Sequence, residues 1–413
     1  MISAIHLFGG YGVELEYMIV DKKSLSIKPI ADKVIYDVTG KFESDVEFEE
    51  AAWSNELVLH VIEIKTNGPR KALRKLDEVF SKNVNDINNI LLKYDCILMP
   101  TGMHPFMDPL KETVLWPHEY NITYETYNKI FNCGGHGWSN LQSIHLNLPF
   151  SGDEEFKKLH AAIRLLLPII PALSASTPII EGKLSGYLDT RLEVYRKNQM
   201  KIPSISGKII PERVFNKSDY ENLILKKIYS DLFPFDKEAI LHNEWVNSRG
   251  AIARFERNTI EIRIIDVQEC PSADIAVVYS IVNTLKLLIN EKWIKLEKQI
   301  EWDEERLSRI FLNVVKEGEN SLINDEEYLN AFGYKKKKIC SAGKLWKYLI
   351  EEVINNFNLD KETWIKNVEM ILNQGSLSTR ILNSLNGNFS HNNIVKTYNN
   401  LSACLANNKM FIP

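Results

Sequence analysis

Residues 12–17 read Gly-Val-Glu-Leu-Glu-Tyr, and this stretch decides the fold. Its aliphatic and aromatic side chains alternate with glutamates, as expected of a strand with one apolar face. Glu14 and Glu16 share the opposite face, where side chains two residues apart lie about 7 Å from each other. Two carboxylates on one face are either a solvated outer surface or part of the floor of a site, and this strand alone allows both.

Three later stretches repeat the alternation. In Ile-His-Leu-Asn-Leu, His145 and Asn147 share a face, and in Ile-Glu-Ile-Arg-Ile, Glu261 and Arg263 do. Glu63 stands among three aliphatic residues. Each stretch alone fits an exposed strand, and a lone histidine is more often structural than a ligand. Together they predict a sheet with one apolar face, covered by helices, and one face that carries carboxylates, a histidine, an asparagine and an arginine.

Carboxylates that converge on one sheet face repel one another, which raises their pKa values. Mg²⁺ relieves that repulsion because it prefers carboxylate and phosphate oxygens. An arginine beside the acids offers a fork that fits a phosphate. The combination is typical of phosphoryl transfer from a nucleotide. The chain has neither GxxxxGK[ST] nor GxGxxG, and the Gly-Gly-Tyr-Gly of residues 9–12 either lets backbone approach a phosphate or is a plain turn.

Strand patterns come before about residue 270 and helical patterns after it. The periodicity predicts strands at 96–99, 143–148, 251–255 and 259–265. It predicts helices at 71–92, 153–167, 272–293, 303–316, 343–357, 362–373 and 391–406. This order indicates an α+β fold with a mainly antiparallel sheet rather than alternating βαβ units. The helices after residue 295 form either a cap on that sheet or a separate subdomain.

Bulk properties exclude several classes of protein. The net charge is −4, and the only dense basic run, Lys-Lys-Lys-Lys at 335–338, is typical of a solvated loop or helix face. We find no basic start followed by an apolar stretch and no window near 18 uncharged apolar residues. These features predict a soluble cytoplasmic protein without a nucleic-acid or membrane partner; a homo-oligomer is compatible with them.

The cysteines are five in number and scattered, with no CxxC pair, so neither a zinc site nor a disulfide framework is expected. None stands near a histidine or aspartate in a pattern typical of nucleophilic catalysis. We therefore expect all of them to be dispensable for chemistry. They are Cys96, Cys133, Cys270, Cys340 and Cys404.

Seven stretches, taken in order, resemble the glutamate–cysteine ligases of the second type and their carboxylate–amine ligase relatives. They lie at 12–17, 56–66, 102–105, 142–149, 172–178, 181–191 and 261–266, so the resemblance covers roughly residues 1–290. It implies a fold related to the catalytic domain of glutamine synthetase over 1–295, in which a curved antiparallel sheet forms a funnel with helices on its outer face. Residues 296–413 follow as a helical region, as a part of that domain or beside it.

The resemblance also implies a reaction. ATP phosphorylates the γ-carboxyl of glutamate, and the amine of a second substrate such as cysteine attacks the acyl phosphate. The products are a γ-glutamyl amide, ADP and phosphate, and two or three Mg²⁺ ions bridge the enzyme and the phosphates. Two other functions stay open: a ligase that uses a different amine in specialised metabolism, and a non-catalytic nucleotide- or metabolite-binding relative. A non-catalytic relative should have lost some of the acids, which are all present.

The same resemblance assigns roles to individual residues. The metal ligands are expected to be Glu14, Glu16, Glu56, Glu63, His145 and Glu261. Arg263 is expected to contact the phosphate, with Asn147 beside the nucleotide, and Arg191 to contact substrate or phosphate. Tyr195 is either an aromatic contact of the second substrate or a core tyrosine.

The spacing of two expected ligands constrains their geometry. Glu56 and Glu63 are seven residues apart, which would put them on opposite faces of one uninterrupted strand. Both reach the same metal site only if a bulge or bend intervenes, or if Glu56 lies on a turn before the strand.

Overall fold

The computed structural model describes residues 5–359 and 362–413, and an antiparallel sheet of eight strands runs through it. The sheet strands are β1 (Gly12–Asp21), β2 (Asp45–Glu47), β3 (Ala51–Asn55), β4 (Val61–Thr66), β5 (Cys96–Met99), β6 (Ser143–Pro149), β9 (Ala251–Arg254) and β10 (Thr259–Asp266). Their order in the sheet is β2-β3-β4-β1-β6-β10-β9, and β5 also pairs with β1. Two small pairs lie apart from it: β7 (Ile179–Ile180) with β8 (Lys183–Leu184), and β11 (Leu322–Ile323) with β12 (Cys340–Ser341).

Helices connect and follow these strands. Those before residue 270 are α1 (Ala31–Thr39), α2 (Leu76–Leu91), α3 (Pro109–Glu112), α4 (Asn121–Phe131), α5 (His136–Ser139), α6 (Gly152–Leu166), α7 (Pro171–Ser174), α8 (Thr190–Tyr195), α9 (Lys217–Asp219) and α10 (Lys226–Leu232). Those after it are α11 (Pro271–Ile289), α12 (Leu296–Gln299), α13 (Glu304–Glu317), α14 (Glu326–Ala331), α15 (Ala342–Phe357), α16 (Thr363–Gln374), α17 (Leu377–Leu385) and α18 (His391–Asn407). The predicted α+β class and the antiparallel sheet are confirmed.

The apolar face of the sheet is fully covered. Val13, Leu15 and Tyr17 of β1 are each 0% exposed and belong to one hydrophobic cluster with apolar residues of α2, α6 and α11. The Tyr17 hydroxyl also donates to Asp274 of α11 at 3.0 Å. Because alternate residues of β1 are held in this core, the side chains of Glu14 and Glu16 must point to the other face.

One sequence expectation needs correction. The helix predicted from residue 71 begins at Leu76, because Lys75 takes a left-handed backbone conformation (φ 64°) that cannot continue the helix toward the N-terminus. α11 contains Asp274 and Lys286, so it is not an uncharged apolar window, but it has 19 residues and a mean hydropathy of 1.5 in its most apolar window. That window is 78% buried inside the fold, so α11 is the core helix that backs the sheet.

The helices after residue 295 pack against the sheet rather than away from it. Phe311 of α13 and Trp346 of α15 belong to the main hydrophobic cluster. Leu377 of α17 and Tyr398 of α18 join a second cluster with Met18 of β1. A domain boundary near residue 295 stays a prediction. The lysines at 335–338 are exposed in the loop between α14 and β12, as the charge pattern predicted.

A fully buried ion pair fastens the last helices to the sheet. Arg380 of α17 bonds Glu269, which follows β10, and both side chains are 0% exposed. The backbone of Phe411 closes the arrangement, since its N–H donates to Glu269 Oε1 at 3.1 Å and its carbonyl accepts from Arg380 Nη1 at 2.9 Å.

We expect Arg380→Met to lower the free energy of unfolding by about 3–5 kcal/mol, because it leaves the Glu269 carboxylate buried without a cation. Chemical denaturation of the full chain measures this. The double variant Arg380→Met with Glu269→Gln should recover part of the loss, since it removes the unpaired charge. A double variant less stable than the single one would show that the charge is not the cause.

Candidate active site

The strand register brings the predicted acids together on the polar face. Glu14 of β1 lies opposite Lys65 of β4 on one side and opposite His145 of β6 on the other. Glu16 lies opposite Glu63 of β4. The polar residues predicted from four separate stretches therefore form one surface in the fold. We call this surface, which carries Glu14, Glu16, Glu63, His145 and Glu261, the acid floor.

A second row of residues extends the acid floor toward the sheet edge. Asn147 of β6 lies opposite Gly12 of β1 and opposite Glu261 of β10. A Cβ on Gly12 would come within 3.0 Å of the Cβ of Asn147, so glycine leaves room for the amide. Asn147 Nδ2 donates to Glu14 Oε1 at 3.1 Å. Its expected nucleotide contact stays a prediction, since its described contact is with an acid.

His145 lies at the centre of the acid floor. Its Nδ1 lies 3.1 Å from Glu14 Oε2 and its Nε2 lies 3.0 Å from Ser143 Oγ and 3.7 Å from Glu16 Oε1. Burial lowers its pKa, but the hydrogen bond with Glu14 and the charges of the other acids outweigh burial and raise the pKa to about 9. Burial raises the pKa of Glu14, but this hydrogen bond and the positive charges of His145 and Lys65 together outweigh burial, and the pKa falls to about 2.

Two other acids of the site, Glu56 and Glu63, have pKa values shifted in the opposite direction. Burial first, and then the negative charge of Glu14, raise the pKa of Glu63 to about 7, although Lys65 and Ser54 work against this. Burial and the neighbouring acids Glu16 and Glu63 raise the pKa of Glu56 well above its ordinary value. A bound cation would favour the ionised form of both glutamates.

The structure explains how Glu56 and Glu63 reach one place. β3 ends at Asn55 and β4 begins at Val61, so Glu56 lies in the connection between two strands rather than on one continuous strand. Carboxylate oxygens of Glu16, Glu56 and Glu63 lie within 4.8 Å of one another. Glu56 therefore lies before β4 rather than on it, which is one of the arrangements that the seven-residue spacing allows.

The acid floor fits divalent metal ions. A second set of donor atoms, from Glu14, Glu63 and His145, also lies within 4.8 Å, and Glu63 belongs to both sets. Oxygen-rich sets of this kind suit Mg²⁺. Burial first, and then the charges of neighbouring acids, raise the pKa values of Glu56 and Glu63, and a bound cation would offset both effects.

Glu261 stands apart from both sets. Its Oε1 lies 2.9 Å from Arg263 Nε, and its Oε2 lies 3.2 Å from Arg254 Nη1. Its Oε1 is 3.9 Å from His145 Nδ1. The structure thus places Glu261 at the margin of the acid floor between two guanidinium groups, and its role as a metal ligand stays a prediction.

Arg191 is held by a buried carboxylate. Its Nε bonds Asp266, and its side chain is almost fully buried. Asp266 also accepts hydrogen bonds from Ser176 and Thr177. A Cβ on Gly102 would come within 2.8 Å of the carboxyl carbon of Asp266. Several of the stretches that carry the family resemblance therefore meet in one buried network beneath the site.

A cavity of about 390 Å³ lies beside the acid floor. Glu16, Glu56, His145, Arg191 and Arg263 line one part of it. Six aromatic side chains line another part, and we call them the aromatic wall: Tyr120, Tyr124, Tyr127, Trp138, Tyr195 and Trp245. Tyr195 lines the cavity, and its hydroxyl donates to the Ser248 carbonyl at 3.0 Å; its contact with the second substrate stays a prediction.

Sequence reasoning missed several residues of this site. Lys65 lies 3.2 Å from Glu63 Oε1, and it is two residues from Glu63, so the same alternation could have revealed it. Ser143 holds Glu16 through its N–H at 2.7 Å and its hydroxyl at 3.0 Å. Most of the aromatic wall comes from outside the strands, and only the spacing of Tyr124 and Tyr127 on one face of α4 gave a signal.

The cysteines offer no reactive thiolate. All five are free thiols, and burial raises the pKa of each, to about 12 for Cys133 and about 11 for Cys404. None lines the cavity. This fits the expectation that they take no part in chemistry.

Comparison with known proteins agrees with the sequence resemblance. A sequence profile described as glutamate–cysteine ligase family 2 matches residues 11–393. An uncharacterised protein of Archaeoglobus fulgidus is 32% identical over 402 residues, which are 97% of this chain and 100% of that one. A protein of Nocardioides sp. designated a candidate glutamate–cysteine ligase 2-1 is 23% identical over 305 residues, 72% of each chain.

Two solved structures share the fold. The crystal structure of the glutamate–cysteine ligase of Francisella tularensis in complex with AMP has a TM-score of 0.59 at 12% identity and covers 95% of this chain and 88% of that one. The crystal structure of a bifunctional glutathione synthetase from Pasteurella multocida has a TM-score of 0.56 at 13% identity. It covers 96% of this chain, and this chain spans about half of that one, 52%.

We expect Mg²⁺ to raise the melting temperature more at about pH 8 than at about pH 5.5. Without a metal, the raised pKa of Glu63 makes the fold lose stability as pH rises from 4.5, where the unfolded chain releases the proton, through about 7. A bound cation offsets this loss only where the acid is ionised. Thermal melts with and without Mg²⁺ measure the effect.

The matched variants are Glu63→Gln, which should reduce the pH dependence of the Mg²⁺ effect, and Glu154→Gln on the exposed face of α6, which should keep it. A Mg²⁺ effect of equal size at both pH values in the parent would contradict the cation site.

Proposed function

The chain belongs to glutamate–cysteine ligase family 2, a family of ATP-dependent carbon–nitrogen ligases, and we propose that it joins the γ-carboxyl of glutamate to an amine. One observation carries the proposal: two sets of metal-ligating atoms share Glu63 on the acid floor, and Arg263 lies beside them at the cavity. With cysteine as the amine, the product is the dipeptide precursor of glutathione. We also propose that the protein works in the cytoplasm.

The chemistry needs an activated carboxyl group. A free carboxylate does not form an amide with an amine at a useful rate, because its oxygen is a poor leaving group. Transfer of the γ-phosphoryl group of ATP to glutamate gives an acyl phosphate, and attack by the amine then releases phosphate. Mg²⁺ ions held by the acid floor would neutralise the charge of the phosphate oxygens.

Arg263 supplies a fixed positive charge next to that reaction. Its Nε is held by Glu261 at 2.9 Å and its Nη1 donates to the Asn247 carbonyl at 3.3 Å. Both contacts fix the guanidinium before substrate arrives, so its charge costs no reorganisation during phosphoryl transfer. Arg191 lies behind it, with both Nη atoms facing the Arg263 carbonyl at 3.4 and 3.5 Å. We propose that Arg263 contacts the transferring phosphoryl group and that Arg191 contacts substrate or supports Arg263.

The alternative of a non-catalytic nucleotide-binding relative is less well supported. Such a protein would not need two buried acids with raised pKa values on one surface, because burying carboxylates beside one another costs stability. The acid floor retains every acid and the histidine that the resemblance assigns to it or to its margin.

Glu16→Gln should lower ATP turnover by about 10²- to 10³-fold, because it removes a charged ligand from the Glu16, Glu56 and Glu63 set. Circular dichroism should show an unchanged fold. Glu47→Gln, an exposed glutamate at the edge of the same sheet, serves as the control. Full turnover of Glu16→Gln, or of the parent in EDTA, would refute the metal assignment.

Arg263→Lys should lower turnover by about 10²- to 10³-fold, because lysine keeps the charge but loses the fork. Arg257→Lys, on the exposed turn between β9 and β10, is the matched control. If Arg263→Lys turns over like the parent, Arg263 is structural.

Oxygen labelling tests the intermediate. With ¹⁸O in the γ-carboxyl of glutamate, one label should appear in the released phosphate. Label in AMP would instead show that the substrate is adenylated and would overturn the acyl-phosphate mechanism.

A further inference from the structure

The aromatic wall makes the cavity unusual for a site that must bind two amino acids. Its rings come from separate elements: Tyr124 and Tyr127 from α4, Trp138 from α5, Tyr195 from α8 and Trp245 from the segment before β9. The ring centroid of Tyr127 lies 5.1 Å from that of Trp138 and 5.9 Å from that of Trp245. Rings in contact with one another form a continuous apolar surface, which favours an apolar or flat ligand group.

Arg263, proposed to contact the transferring phosphoryl group, lines this cavity, but the other two cations beside the acid floor lie outside it. Lys65 contacts Glu63 at 3.2 Å, and Arg254 contacts Glu261 at 3.2 Å, so both stand on or beside the acid floor. Neither lines the cavity. We therefore assign the aromatic wall to the carboxylate substrate and the amine rather than to the nucleotide.

The charges that line the cavity limit what the amine can carry. In the described part of the chain, its lining includes two guanidinium groups and no lysine. Arg191 is bonded to Asp266 and is 1% exposed, so it has little capacity for a further anion. Arg263 keeps N–H donors for a ligand after its contacts with Glu261 and Asn247.

Of the two guanidinium groups that line the cavity, Arg263 has the greater capacity for a further anion, and the proposed phosphoryl transfer already uses it. Glutamate already brings an α-carboxylate next to the γ-carboxyl that reacts. A second amino acid, cysteine included, would bring another carboxylate into an apolar enclosure without a cation, which is costly. An amine without a carboxylate avoids this cost.

We propose that the acceptor is a primary amine with an apolar, aromatic body and no carboxylate, and that the aromatic wall binds that body. This inference rests on the proposed function, since it names the amine of that same reaction. The amine nitrogen attacks the γ-carbonyl carbon of the acyl phosphate, the carbon–oxygen bond to phosphate breaks, and the nitrogen releases one proton. No oxidant or reductant is needed.

The test uses the full chain with ATP, Mg²⁺ and L-glutamate. Hydroxylamine traps an acyl phosphate without needing a binding site of its own, so γ-glutamyl hydroxamate reports the proposed function separately. Four acceptors are then compared by kcat/KM. Phenethylamine and L-phenylalanine differ only by the carboxylate, phenethylamine and ethylamine differ only by the ring, and L-cysteine is the acceptor that the family name indicates.

Phenethylamine should exceed L-phenylalanine and L-cysteine by at least about tenfold, because each of these buries an unpaired carboxylate. It should exceed ethylamine by at least about tenfold, because its ring is removed from water. If hydroxamate forms but L-cysteine or L-phenylalanine is preferred, this inference is wrong and the proposed function stands. If no hydroxamate forms, the proposed function itself fails.

Variants of the aromatic wall test where the ring of the acceptor binds. Trp245→Leu should lower the phenethylamine-to-ethylamine ratio of kcat/KM at least about threefold, and Tyr124→Leu, on a different element, should do the same. Trp293→Leu removes a half-buried tryptophan outside the cavity and should keep the ratio. If Trp245→Leu and Tyr124→Leu raise the KM for ATP and leave the ratio unchanged, the wall binds the nucleotide and the inference is overturned.

Discussion

The structure depends on holding several carboxylates close together on one face of a sheet. β1 can present Glu14 and Glu16 there only because its alternate residues are sealed in the core beneath. Repulsion among the acids is balanced in part by His145 in the middle and by Lys65 at the side. Burial and the remaining repulsion still raise the pKa values of Glu56 and Glu63. Binding of a cation to this surface would therefore stabilise the fold.

Rigid support for this surface comes from buried networks rather than from the floor itself. Asp266 at the end of β10 bonds Arg191, and Glu269 just beyond it bonds Arg380 of α17. One short segment therefore connects the site to the helices at the end of the chain. Most of the residues in these networks never reach the cavity, which explains why the stretches that carry the family resemblance extend well beyond the residues that line it.

The two sides of the cavity serve different physical purposes. The acid floor is polar and charged, and its neighbours fix each acid before any ligand binds, as Ser143 does for Glu16. The aromatic wall is apolar and built from helices and connections, which vary more easily than a sheet. A family that conserves one reaction while changing its second substrate would be expected to keep the first surface and alter the second.

The sequence by itself determined the antiparallel sheet, the covering helices and the shared face of Glu14, Glu16, Glu63, His145, Glu261 and Arg263. It could do so because strand alternation is local: a residue's face follows from its neighbours two positions away. Helical periodicity is also local, and it placed the seven longest of the 18 helices α1 to α18; it failed at Lys75, where the backbone conformation makes α2 begin later than predicted.

Tertiary structure alone decided which strands are neighbours, and hence that Glu14 meets Lys65 and His145. It brought Glu56 to Glu63 through the connection between β3 and β4, and it set Glu261 between two arginines rather than within the metal-ligating sets. It also assembled the aromatic wall from residues up to about 125 positions apart, from Tyr120 to Trp245. Contacts between residues distant in the chain depend on how whole elements pack, and no short stretch of sequence contains that information.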